Sequence, residues 1–158
     1  MHADPYRRPY RPSGLPDPER DRQFYEGVPL RRLFAYVIDA LLAGLLTLAA
    51  LIVFALPSLG LIFFVAFLVW AAVDFCYRVL TLARGSATPG MRFMGIELRG
   101  PGGHRLDAGT AVLHTILFYL CMAFTIAQIV SIALMVGSAS GRGLPDLALG
   151  TAMINRPL

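Results

Sequence analysis

Three long apolar runs, residues 33–56, 61–83 and 111–136, constrain this chain more than any other feature. A helix needs about 20 residues to cross a hydrocarbon core of about 30 Å, and each run reaches that length. They account for a composition that is 56% hydrophobic, well above that of an ordinary water-soluble domain. The first two runs are joined by Pro57-Ser58-Leu59-Gly60, an uncharged turn that predicts a tight helical hairpin. The expected fold class is an all-α membrane protein with about three transmembrane helices.

Charged side chains inside these runs are the second constraint. An ionisable group at the centre of a membrane helix costs roughly 2.5–3.5 kcal/mol on insertion scales, so such groups face protein or water rather than lipid. Arg32 closes the polar tail, and Asp39 follows seven residues later, two helical turns on and on nearly the same face. In the second run Asp74 and Arg78 stand four apart with the acid first, the favourable order for a helical ion pair. Asp39 and Arg78 lie at similar depth from their respective ends, so a contact between the two helices is geometrically open. Ala40, Ala43, Gly44 and Thr47 are small residues at helical spacing that would admit a close neighbour. His114 and Gln128 in the third run also need partners. His114 reads as an interfacial histidine before a proton-transfer group. Cys76 and Cys121 sit within apolar runs without metal-ligand spacing, and read as packing groups.

The remaining segments are polar. Residues 1–30 form an Arg/Pro-rich tail, with prolines at 5, 9, 12, 16, 18 and 29 that block regular helix, and it reads as disordered. Its acids Asp4, Asp17, Glu19, Asp21 and Glu26 offset its arginines, so no nucleic-acid partner is expected. In the connector 84–110, Met94–Arg99 reads as extended. Pro101-Gly102-Gly103 is a turn, and His104-Arg105-Leu106 is placed to pair back, giving a short cytoplasmic β-hairpin-like loop between the second and third spans. Leu147 to Ile154 is too short to span. All fourteen basic residues are arginine, and they concentrate in the tail and the connector. The positive-inside rule puts the N-terminus and that connector in the cytoplasm. Three spans place the C-terminus outside; a third run kinked into a re-entrant hairpin returns it to the cytoplasm. Three spans are the preferred expectation.

Three segments in order resemble the RDD family of small bacterial membrane proteins. Arg32, Ala35 and Asp39 are similar to an R-x-x-A-x-x-x-D opening of the first span. Ser86 to Ile96, with Thr88, Gly90, Arg92, Gly95 and Ile96, is similar to the family's middle signature, its basic residue one position later. Asp146, Gly150 and Thr151 are similar to the last signature, with Pro145 in place of the usual histidine. At the start of the third span many members carry an arginine where this chain has His114. The resemblance covers about residues 31–155. It implies an RDD-like transmembrane domain over 31–158 and a multi-pass protein of the bacterial inner membrane. It adds Asp146 to a functional polar cluster of Arg32, Asp39, Asp74, Arg78 and Asp146. Most members have no assigned function, and cation/proton exchange has been proposed for some.

No hydrolase triad, HExxH or P-loop is present, so no enzyme and no cofactor or metal is expected. Gly85 to Gly90 lacks the Lys-Ser/Thr ending of a P-loop. Two readings of function remain. One is a structural or accessory membrane component whose buried charges fix helix packing, with the lipid bilayer and a homo-oligomer or membrane-protein partner around it. The other is an oligomeric ion-coupled transporter using Asp39 as its cation or proton site.

Overall fold

A computed structural model describes residues 14–156. Its elements follow the apolar runs with one exception. Helix α1 spans Val28–Ala55 and α2 spans Ala66–Gly85, joined by a turn through Gly60 (φ +83°) and a short 3-10 segment at Leu61–Val65. The short helix α3 (Pro89–Phe93) and strand β1 (Ile96–Arg99) fill the connector. Helices α4 (Ala108–Ala123) and α5 (Thr125–Gly137) divide the third run, and α6 (Leu144–Leu149) and strand β2 (Ala152–Asn155) close the described chain.

The expected helical hairpin is present, and its two helical stretches, Arg22–Ala55 and Leu61–Gly85, are long and apolar enough to cross a membrane. On α1 the buried positions Ala35, Asp39, Ala43 and Thr47 repeat every fourth residue, so one narrow stripe of small and polar residues meets the rest of the protein. Leucines 41, 45 and 48 and Ile52 are exposed on the remaining faces. Gly44 does not serve a close approach, since a methyl group built there meets nothing within 4 Å. The tight approach is at Gly90 of α3, where a Cβ would lie 2.4 Å from the Ala35 carbonyl oxygen. Any larger residue at 90 would push α3 away from α1.

The third run is not a straight helix. Phe124 adopts an extended conformation (φ −110°, ψ 104°), and α4 and α5 meet there at 114°. The chain therefore turns back, and the pair counts as one span at most. Two candidate spans therefore stand, or three if the bent pair is one broken span, and the third run is kinked.

The connector turns back on itself as a hairpin-like loop, but briefly: one antiparallel bridge joins Arg99 to Arg105, and the Gly100 N–H donates to the His104 carbonyl at 2.9 Å. The two-stranded sheet uses a different partner. Strand β1 instead pairs antiparallel with β2, Ile96 opposite Asn155 and Arg99 opposite Ala152. The reason lies in the residues just past the turn. Leu106 turns into the core, and Asp107 caps α4 by accepting from the Thr110 N–H at 3.0 Å, which ends the extended stretch after one bridge. Ala152, Met153 and Ile154 offer a longer apolar strand, and all three are buried together with Ile96 and Leu98. The 147–154 segment, too short to span, thus becomes part of α6 and this strand.

Of the stretch read as tail, residues 14–30 are described. Residues 1–13 lie outside the described residues. Helix α1 starts at Val28, behind a left-handed Gly27 (φ +70°), inside the stretch expected to be tail. Tyr25 is buried against Ala152 and Ile154, and its hydroxyl donates to the Pro16 carbonyl at 2.8 Å. Asn155 donates back to the carbonyls of Gln23 and Glu26.

Because β2 pairs with β1, residues 105 and 156 belong to one end of the molecule. With Cys76 and Cys121 replaced by serine, single cysteines at 105 and 156 are expected to react with a membrane-impermeant maleimide from the same side of sealed vesicles. Labelling from opposite sides would contradict the α4–α5 bend.

Candidate functional site

The buried charges gather into three joints. The first surrounds Asp39, which is 1% exposed. Thr88 donates its hydroxyl to one carboxylate oxygen at 2.5 Å; the Gly90 N–H (2.8 Å) and the Tyr77 hydroxyl (2.7 Å) donate to the other. Thr88 is at the same time the N-cap of α3, accepting from Met91 N–H at 3.2 Å, and Pro89 supplies the preset first helical turn. This one carboxylate therefore ties α1, α2 and α3 together.

The second joint surrounds Asp146, which is fully buried at the first turn of α6. Arg32 pairs with it at 2.6 Å and also donates to the Gly141 carbonyl at 2.9 Å. His114 Nε2 lies 3.0 Å from the other carboxylate oxygen. The Gly143 N–H (3.0 Å) and the Thr151 hydroxyl (3.2 Å) complete the set. Burial by itself would raise this carboxyl's pKa. The Arg32 guanidinium and the His114 contact outweigh that and hold it well below the usual carboxylate range.

The third joint is Asp74 with Arg78. The Arg78 Nε donates to Asp74 at 3.0 Å, as the four-residue spacing predicts, and the Tyr119 hydroxyl of α4 donates to the same oxygen. The Arg78 guanidinium lies over the rings of Phe118 (4.8 Å) and Tyr36 (5.6 Å), a cation–π arrangement that helps offset desolvation. The other Asp74 carboxylate oxygen is buried with no partner among the described residues.

A cavity of about 570 Å³ lies among α1, α2, α4 and α5, bordered by Arg32, Asp39 and Arg78 from the joints and by His114, Gln128 and Ser131. Its walls are otherwise apolar and aromatic.

All five sequence-designated residues are thus buried or ion-paired, but not as one cluster. Arg32 and Asp39 share a helix face without pairing, and Arg32 reaches Asp146 instead. Among the described residues no ion pair joins Asp39 to Arg78; each has closer partners. His114, expected as an interfacial group, is a buried partner of Asp146. Sequence reasoning missed Tyr77, Tyr119, Thr88, Gly90 and Thr151 as partners. Thr88-Pro89 carried a readable helix-start signal, and Thr151 stands in the same signature as Asp146. Nothing near Tyr77 or Tyr119 marks a hydroxyl that crosses to another helix.

These features define a helical protein built on a membrane-length hairpin, with polar joints that pin its helix ends to a short two-stranded sheet. A family model described as "RDD family" matches residues 27–150, and the chain belongs to the RDD family. No curated protein and no solved structure matches the chain.

Removing one partner of a buried ion pair costs about 3–5 kcal/mol. Asp146→Asn is expected to lower stability by that order in thermal or denaturant unfolding in detergent at pH 7. The folded carboxyl titrates below its unfolded value of about 3.9, so its stabilisation is complete above that value and is lost as the pH falls through the folded one. The gap between wild type and Asp146→Asn should narrow below about pH 4. A gap unchanged down to pH 3 would contradict the assignment.

Proposed function

We propose that this protein is a multi-pass component of the bacterial inner membrane with a structural or accessory role, in which the Arg/Asp joints fix helix packing and present a defined surface to a membrane-protein partner or a second copy. The observation that carries this reading is the saturation of Asp39. A carboxylate that binds and releases a cation or proton needs a free coordinating face. Asp39 spends both oxygens on three hydrogen bonds from its own chain, two of them from the connector. Asp146 is similarly filled. Buried polar groups arranged this way specify one packing against its alternatives.

In this reading the N-terminus, the connector and the β1–β2 sheet are cytoplasmic. The support is the arginine distribution: seven in residues 1–32 and four in 84–110, against none in the α1–α2 turn. The sheet end is therefore the surface offered to a cytoplasmic or membrane partner.

One observation favours a second reading, an oligomeric cation/proton exchanger. The cavity borders Asp39, Arg78 and His114, and Asp74 keeps an unpartnered oxygen among the described residues. Intramembrane carboxylates of this kind mark ion pathways in other proteins.

Flux measurements in proteoliposomes separate the two. With Na⁺, K⁺ and Li⁺ pulses tested in turn, vesicles carrying the folded protein are expected to match lipid-only vesicles. Asp39→Asn should lower thermal stability, because the uncharged amide presents an N–H₂ group to donors that need an acceptor. Cation-triggered proton movement that disappears in Asp39→Asn would establish the exchanger reading in place of the accessory one.

A further inference from the structure

The open end of the α1–α2 hairpin carries cations that nothing in the described chain neutralises. Arg31 stands roughly 36 Å along α1 from Ala55, at 1.5 Å per residue. Arg84 stands roughly 27 Å along α2 from Ala66, with about 10 Å of 3-10 segment before it. A hydrocarbon core is about 30 Å thick, with headgroups beyond it. A hairpin whose Gly60 turn sits at one surface therefore carries both arginines into the headgroup layer of the other. Helix α3 lies at that level too. Its Gly90 N–H bonds Asp39, and the carbonyl of Met94, just past its end, accepts from Arg31 at 3.2 Å, so it runs along α1 from Asp39 back toward Arg31. Arg92 of α3 reaches α2: a Cβ built on Gly85, the residue after Arg84, would lie 2.1 Å from an Arg92 terminal nitrogen. Arg31, Arg84 and Arg92 are all exposed, and among the described residues no carboxylate pairs with any of them. Glu97 is taken by Arg99, Asp39 is filled by its own donors, and Glu26, five residues before Arg31, makes no ion pair with it. Next to Arg92, the Phe93 ring is 81% exposed.

We infer that the outer face of α3, with Arg31 and Arg84 beside it, binds the phosphate of an anionic phospholipid, with Phe93 entering the acyl chains of the same leaflet. Charge selects the anion. Three unpaired guanidiniums on neighbouring elements repel one another until a negative group stands among them, and the planar guanidinium fork matches a pair of phosphate oxygens. A zwitterionic lipid brings its own cation to the same place and relieves less of that repulsion. Phe93 selects a lipid over free phosphate, because an exposed aromatic ring is stabilised when hydrocarbon rather than water covers it. The inference rests on the membrane reading of the hairpin and is independent of whether the protein has an accessory or a transport role.

The membrane reading is checked by itself: the full chain should leave the membrane fraction with detergent and not with high salt or alkali. The chain is then stripped of lipid in an alkyl maltoside and titrated separately with phosphatidylglycerol and phosphatidylcholine of the same acyl chains, and retained lipid is counted by native mass spectrometry. Saturable retention of phosphatidylglycerol above phosphatidylcholine is expected, and inorganic phosphate should not displace it. Arg84→Gln and Arg92→Gln remove groups that bond nothing among the described residues. Each should weaken phosphatidylglycerol retention about fivefold at an unchanged unfolding temperature, the share of one arginine at an anionic surface. Phe93→Ser should weaken it as well. Arg20→Gln, an exposed arginine in the N-terminal turn, should leave it unchanged. Equal retention of the two lipids would overturn the inference, as would retention that none of the three patch variants alters. An equal loss in Arg20→Gln would replace the site with diffuse surface charge, and displacement by inorganic phosphate would replace the lipid with a free anion; either overturns it.

Discussion

The Asp146 carboxylate is the constraint on which the described structure depends. It is fully buried, and an isolated charge there would be untenable. Four groups from separate parts of the chain make it tolerable: Arg32 at the head of α1, His114 in α4, the Gly143 N–H and the Thr151 hydroxyl. Each of those groups is in turn fixed by Asp146. The joint forces α1, α4 and α6 to meet at one end. That meeting brings β2 beside β1, and β1 beside the connector that holds Asp39. The chain between Ala108 and Gly137 has to leave this end and come back to it, and the bend at Phe124 supplies the return.

Asp39 works the same way on a smaller scale. Its partners from the connector, Thr88 and the Gly90 N–H, belong to a short helix whose Met91 packs against the core cluster that includes Val28 and Ala35 of α1. The hydrogen bonds and the missing side chain at 90 locate it. Asp74 and Arg78 add a third joint between α2 and α4, cushioned by the rings of Tyr36 and Phe118. Three polar joints therefore act beside a small apolar core that includes Val28, Leu82, Ile96, Leu98, Leu106 and Met153. The remaining apolar faces are turned outward, as the exposed leucines of α1 illustrate.

Much of this is legible in the sequence, and the boundary is physical. The helical hairpin comes from run length and the Pro57–Gly60 turn. The Asp74–Arg78 pair comes from helix periodicity, which is a local rule. Partners across elements are not visible in that way. Arg32 and Asp39 share a face by that same periodicity, yet an arginine side chain long enough to reach another element does so when a buried carboxylate waits there. The bend at Phe124 involves neither glycine nor proline, so no local signal marks it; tertiary demand from Asp146 and β2 sets it. The connector hairpin stops at one bridge for a comparable reason. Its turn residues are sound, but the better apolar strand comes from more than fifty residues away. The third signature, around Asp146, is visible only as a likeness to a family, because a proline-flanked aspartate in a semi-apolar stretch announces no partner.

The pairing of β1 with β2 bears on the order in which the molecule is made. Translation proceeds from the N-terminus at about 5–20 residues per second. Helices α1 and α2 leave the ribosome as a finished hairpin, while β1 still has an open edge and Arg32 still lacks its carboxylate. Neither is satisfied until α6 and β2 emerge, last among the described elements. Newly made chains thus pass through an interval in which a strand edge and a guanidinium both lack their partners. The last of the described elements to emerge acts as a latch on those made before it.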